Sequence, residues 1–188
     1  MGYIREFYER FIKLEEPEWR FIAAHFQKQV FQKQEHIIDL GETENYLSFI
    51  ESGLVRFYIP GDEREWTFHF NFHKEFTGAY DSFLTRTPAT YRLQALSETM
   101  LWRISYEDLQ EVYTHTRAGN FLGRFIAERM FLTCARRTID LVRYNATERY
   151  LQLLKEEPRV LQQVPLKYVA SYIGITPQAL SRIRRQIS

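Results

Sequence analysis

Apolar side chains recur every three or four residues at both ends of the chain and every second residue in between. Phe7, Phe11 and Leu14, then Trp19, Ile22 and Phe26, keep helical spacing with Pro17 between the two sets, which predicts two short amphipathic helices. From about residue 36 the period becomes two. In EWTFHFNFHK, Trp66, Phe68, Phe70 and Phe72 alternate with Thr67, His69, Asn71 and His73, which places the aromatics on one face of a strand and the polar residues on the other. NYLSFIESGLVRFYIPGDER predicts two strands broken at Ser52-Gly53 and ended by the Pro60-Gly61-Asp62 turn, and TYRLQALSETMLWRIS predicts two more around Ser97-Glu98-Thr99. Short strands with closely spaced turns predict a small sandwich, jelly roll or barrel.

Past residue 105 the helical period returns and stays. Ser105 followed by Asp108 resembles a capping box ahead of a short helix. AGNFLGRFIAERMFLTCARRTIDLVRY then runs without proline, with Leu122, Phe125, Leu132, Ala135, Ile139 and Val142 three, four or seven apart, so one long helix is expected over 119–143. Its seam is more apolar than one small barrel need cover. A second copy of the same helix is the simplest partner, with Leu122, Phe125, Leu132, Ile139 and Val142 as candidate dimer contacts. NATERYLQLLKEEP predicts a further helix ending before Pro158, and RVLQQV bridges to the last segment.

That segment, PLKYVASYIGITPQALSRIRRQIS, contains a sharp turn between two short helices. Val169 and Ile173 share a face with Ala170 beside them, Gly174 ends the first helix, Thr176 caps the second, and Pro177 suits its first turn. Leu180, Ile183 and Ile187 make its apolar face and leave Gln178, Ser181, Arg182 and Arg185 on the other. The pattern is that of a helix-turn-helix. If it reads the major groove, Thr176 meets a phosphate, Gln178 and Arg182 reach base edges with Ser181 between them, and Lys167, Arg184 and Arg185 contact phosphates. Pro177 opens the same surface.

Charge sharpens this division. The net charge is +1, yet residues 1–118 hold 13 Lys/Arg against 19 Asp/Glu, a balance of −6, and residues 119–188 hold 12 against 5, a balance of +7. A basic C-terminal part suits a polyanion and the acidic part does not. The single cysteine, Cys134, excludes an internal disulfide and fits a reducing cytoplasm. The opening residues alternate charge too closely for a signal peptide or a membrane span. His69 and His73 lie four apart on a strand, about 13 Å, too far to share a metal ion. His25, His36 and His115 have no cluster around them, and no nucleophile triad, phosphate loop or acid pair stands out, so neither a metal nor a catalytic site is expected.

Helices, a compact β domain, a long helix and a terminal helix-turn-helix, in that order, resemble the Crp/Fnr family of transcription regulators. The resemblance is carried by YLSFIESGLVRFYI, by EFTGAYDSFL where that family has its phosphate-binding cassette, and most strongly by ERYLQLLKEEP followed by YVASYIGITPQALSRIRR. It implies an α+β chain. Residues 1–118 would form a cyclic-nucleotide-binding-like β-roll (a double-stranded β-helix or jelly roll) with N-terminal helices, 119–143 a dimerisation helix, and 144–188 a helix-turn-helix domain. It implies a homodimer on double-stranded promoter DNA, with RNA polymerase and a small-molecule effector as further partners, no membrane, and no resident cofactor.

Two departures alter the expectation. Members of the family that bind cyclic AMP follow the cassette glycine with Glu and later supply Arg-Ser or Arg-Thr. Here Gly78 is followed by Ala79, and Ala89-Thr90 stands where the pair belongs, so cyclic AMP is expected to bind poorly unless Arg86 or Arg92 substitutes. The sequence also stops at Ser188, right after the recognition helix, where the family often adds a β-hairpin wing. Gly78, Tyr80, Asp81, Ser82, Ala89 and Thr90, with Cys134 from the long helix, are the candidate lining of a pocket for another effector. Two alternatives stand beside the regulator: a ligand-sensing module with weak or lost DNA binding, and a jelly-roll enzyme of cupin type. The second would need His and Glu side chains converging inside a barrel that the aromatics of 66–72 fill.

Overall fold

The computed structural model describes residues 1–187. Two short helices, α1 (Gly2–Glu9) and α2 (Glu16–Ala24), precede the strands, with Pro17 in the first turn of α2. The strands are β1 (Gln27–Phe31), β2 (His36–Ile38), β3 (Tyr46–Ser52), β4 (Leu54–Ile59), β5 (Trp66–Phe72), β6 (Phe76–Thr77), β7 (Arg92–Ala95) and β8 (Thr99–Ser105), with the short helix α3 (Tyr80–Thr85) between β6 and β7. They form two four-stranded sheets, β1-β8-β3-β6 and β2-β7-β4-β5. In the first, β8 runs antiparallel to both neighbours, with Gln27 opposite Arg103 on one side and Ser48 opposite Arg103 on the other. This is the expected β-roll. Strand β1 and the short β2 and β6 go beyond the runs legible in the sequence; β1 shows solvent at four of its five positions and has no apolar alternation to reveal it.

Helix α4 (Tyr106–His115) follows, capped as expected by Ser105, whose hydroxyl accepts the Asp108 amide at 3.0 Å. Then come α5 (Arg117–Arg143), α6 (Ala146–Glu156), α7 (Pro158–Gln163), α8 (Leu166–Ile173) and α9 (Pro177–Ile187). The bridge RVLQQV is thus itself mostly helical. Asn145 and Glu148 form a reciprocal capping box at the start of α6, which sets where α5 stops and α6 begins.

By their contacts the residues fall into two compact units, 1–56 with 71–129, and 57–70 with 130–188. The first unit centres on Phe49, fully buried on β3, with its ring 5.1 Å from Phe76 and 6.0 Å from Phe7. Phe125 on α5 joins this cluster, 4.2 Å from Phe11. The second unit holds α6–α9, the last part of α5, and the hairpin segment that includes most of β5. There the expected alternation fails in an informative way. Thr67 is 4% exposed and Trp66 is 41% exposed. Phe70 and Phe72 are buried as the alternation expects, but the order inverts at the start of the strand, where the Thr67 amide donates to the Ser171 hydroxyl of α8 at 2.8 Å.

Truncating Phe49 removes a ring that no other side chain can replace. Phe49→Ala is expected to cost about 3–5 kcal/mol, read as a lower urea midpoint in equilibrium unfolding.

Candidate functional site

The helix-turn-helix is built by its backbone caps. Gly174 adopts a left-handed conformation (φ 86°) and its amide donates to the carbonyls of Ala170 and Ser171, while the Ile175 amide donates back to Ala170 at 3.0 Å. This closes α8 and turns the chain at once. Thr176 then caps α9, its hydroxyl accepting the Ala179 amide at 3.2 Å. Ala170 on α8 and Leu180 on α9 are both buried. Arg149 of α6 supports the turn from beneath. It donates to the Ile173 carbonyl at 3.0 Å and to the Tyr144 carbonyl, joining the ends of α8 and α5.

On the outer side of α9, Thr176, Pro177, Gln178, Ser181, Arg182, Arg184 and Arg185 are all exposed, and Lys167 is exposed at the start of α8. Gln178, Ser181 and Arg182 stand one turn apart on one face, the arrangement a groove-reading helix requires. Ser181 donates to the Pro177 carbonyl at 3.0 Å. Ile183 is half-buried and Ile187 is 41% exposed, so the apolar face of α9 weakens toward its end.

The cassette lies in the first unit and is satisfied by its own residues. Gly78 has φ 151°, and a Cβ there would come within 3.2 Å of the Tyr46 carbonyl, so only glycine fits. Next to it, the buried Glu44 carboxylate accepts the Tyr46 amide at 3.0 Å and the Ala79 amide at 3.3 Å and pairs with Arg103 at 3.4 Å. Burial pushes the Glu44 carboxyl up, against the opposing pull of Arg103 and the backbone amides. Burial likewise lowers Arg103, which Gln29, Ser48 and the Tyr46 ring also engage.

Each candidate pocket residue has a place in this scheme. Ser82 is buried, accepting the Glu44 amide at 3.0 Å and donating to the Thr87 carbonyl at 2.5 Å. Asp81 accepts the Tyr91 hydroxyl. Tyr80 stacks on Phe83 at 6.0 Å. Ala89 is buried with its amide on the Glu42 carbonyl and its carbonyl on the Gly41 amide, and Thr90 is exposed. Cys134 is exposed on α5 and belongs to the second unit, whereas the cassette belongs to the first.

Neither arginine proposed as a substitute is available. Arg86, itself in a left-handed conformation at the end of α3, donates to the Glu44 carbonyl at 2.8 Å and to Asn45 Oδ1 at 2.6 Å and lies over the Tyr106 ring. Arg92 is bonded to Asp39 at 2.5 Å. The residues present therefore do not fit a cyclic phosphate: Ala79 and Ala89 offer no side-chain partner, and both nearby guanidinium groups are occupied. Glu44 and its contacts were not evident from the sequence. Its only signal was a carboxylate between a turn and a strand.

On α5, Leu122 is 2% exposed and packs in its own unit, so it does not join a face open to a second copy; Phe125 is half-buried against Phe11. Leu132, Ile139 and Val142 are 62%, 57% and 87% exposed, with Phe131 at 71% beside them. No group of His, Cys, Asp and Glu able to hold a metal ion occurs among the described residues.

With this geometry in view, comparison with known proteins is specific about the fold. The family model of the cyclic nucleotide-binding domain matches residues 28–116. FixK2 from Bradyrhizobium japonicum superposes with a TM-score of 0.73 at 18% identity, over 86% of this chain and 84% of that one. The c-di-GMP-responsive global regulator CLP of Xanthomonas campestris gives 0.70 at 19% identity, over 92% and 91%. The Thermus thermophilus catabolite activator protein gives 0.56 at 20%, over 94% and 85%. The fold is that of the Crp/Fnr regulators. No curated protein matches the sequence.

Within this Crp/Fnr fold, the cassette's self-satisfaction makes two expectations. Isothermal titration with cyclic AMP should give no micromolar binding. Glu44→Gln, which leaves Arg103 buried without its counter-charge, should cost about 3 kcal/mol in chemical denaturation.

Proposed function

We propose that the chain is a DNA-binding transcription regulator that works as a homodimer, with a β-roll that responds to a small molecule other than cyclic AMP. The observation that carries this reading is the outer face of α9, where Gln178, Ser181 and Arg182 stand exposed beside Arg185 over a buried Leu180. Arg182 reads guanine O6/N7 and Gln178 reads adenine, because these side chains offer the matching donor and acceptor pairs. Thr176, next to Pro177, meets a phosphate through its hydroxyl or backbone amide, and Lys167, Arg184 and Arg185 touch phosphates and set affinity and salt dependence. The second copy packs along α5 over Leu132, Ile139 and Val142, which places two α9 helices about 34 Å apart on a near-palindromic promoter site. RNA polymerase is the further partner such a regulator addresses. Among the described residues no helix is long and apolar enough to cross a membrane, and a place in the cytoplasm beside DNA agrees with that.

The deciding experiment is selection from a random DNA pool followed by binding at two salt concentrations. A symmetric motif should emerge. Arg182→Ala should cost about 1–3 kcal/mol and relax the preference at one position, whereas Arg185→Ala should weaken all sequences alike. An unstructured pool, or an unchanged preference in Arg182→Ala, would overturn the reading in favour of a sensor module. Ile139→Glu should convert the dimer to monomer in sedimentation at micromolar concentration, because a carboxylate at that seam cannot be buried unpaired.

A further inference from the structure

Helix α8 is held at its C-terminal turn as well as at its crossing with α9. Ser171 and Tyr172 both reach the hairpin segment 57–70, which shares a contact unit with α6–α9. The Ser171 hydroxyl donates to the Glu65 carbonyl at 2.6 Å and accepts the Thr67 amide at 2.8 Å. Both are backbone groups at the start of β5, and β5 is the edge strand of its sheet. One hydroxyl supplies the donor and the acceptor that a further strand would have supplied.

Tyr172 is held from two sides. Its ring lies 5.4 Å from Phe70 on the strand, and the Arg137 guanidinium of α5 sits 3.8 Å from its centre while donating to the Tyr172 carbonyl. One turn of α8 is thus gripped by a strand through directional hydrogen bonds and by the long helix through stacking. Since α9 packs on α8 and leaves it through the tight turn closed on the Ala170 carbonyl, the direction of α9 follows that of α8.

We infer that Ser171 is a positioning residue for DNA reading: it fixes α8 on strand β5 and so presets the orientation in which α9 offers Gln178, Ser181 and Arg182. The inference rests on the DNA-binding reading above. The grip favours binding because the reading face is exposed while the grip is closed, so no contact has to break before DNA is met. Ordering α8 in advance also removes that entropy from the cost of association.

The test uses the full chain, the duplex selected by the wild type, and two readouts: fluorescence anisotropy for affinity and hydrogen exchange at the Thr67 amide without DNA. Ser171→Ala should weaken DNA binding about tenfold and speed Thr67 exchange by a similar factor, as expected for losing two modest hydrogen bonds. Ser171→Thr keeps the hydroxyl and should restore both readouts, which a loss of mere packing would not. Should the alanine variant fail to fold, Ser171→Cys keeps the volume with a weaker donor and should show an intermediate loss in both. Affinity of Ser171→Ala (or of the cysteine variant in its place) within twofold of wild type would overturn the positioning role, and tighter binding would overturn it too by making the grip a brake. A wild type that selects no DNA would instead overturn the regulator reading, and this inference with it.

Discussion

A carboxylate taken out of water must be surrounded by donors or it will not stay ionised, and Glu44 shows what that requirement does to a fold. It is 1% exposed, and its neighbours come from every part of the β-roll around it: the amides of Tyr46 and Ala79, the Arg103 guanidinium from β8, and through its own backbone Ser82 and Arg86. Those bonds tie the start of β3, the end of β6, helix α3 and strand β8 to one point. The protein's own groups hold the shape of this segment, because the nearby donors are bonded to Glu44. The same economy explains why it does not suit a cyclic phosphate: the groups that could meet an anion are bonded to the protein's own acceptors.

Arginines play the matching part in the second unit. Arg137 and Arg149 direct their guanidinium groups at backbone carbonyls of Tyr172, Ile173 and Tyr144, where helices end and carbonyls lack partners. Burial lowers the Arg137 pKa, and it remains a cation beside a tyrosine ring. The turn between α8 and α9 therefore rests on helix-end chemistry as much as on apolar packing. These bonds act beside the buried Tyr168, Val169, Ile173 and Leu180 side chains.

How much of this could be read from the sequence depended on whether the signal was local. The Gly174 turn, the Thr176 and Ser105 caps, the paired runs at Ser52-Gly53 and Ser97-Glu98-Thr99, and the long proline-free helix are each set by neighbours within a few positions, and the structure has them where the spacing puts them. What could not be read involves partners far apart in the chain. Thr67 was placed on the polar face of β5, yet it is buried and its amide bonds to a helix a hundred residues later, of which alternation says nothing. Leu122 kept the period of a dimer seam yet packs into its own unit, since periodicity identifies an apolar face without saying what covers it. Glu44 and Arg103 stand 59 positions apart, and no spacing rule joins them.

The charge asymmetry of the sequence takes on a narrower meaning in the structure. Of the basic residues past 118, Arg136 pairs with Glu156, Arg159 with Glu157, Arg124 with Glu128, and Arg137 and Arg149 are committed to carbonyls. The three carboxylates in these pairs are already subtracted in the balance of +7, and a guanidinium bonded to a carbonyl keeps its charge, so the pairing shows where the excess lies without reducing it. Exposed Arg182 and Arg185 on α9 and Lys167 on α8 have no carboxylate among these pairs, and α9 itself contains no acidic residue. Three basic residues, Arg182, Arg184 and Arg185, thus fall on one short helix that has no acidic residue. A polyanion would meet a local excess of positive charge there, and net charge alone does not locate it.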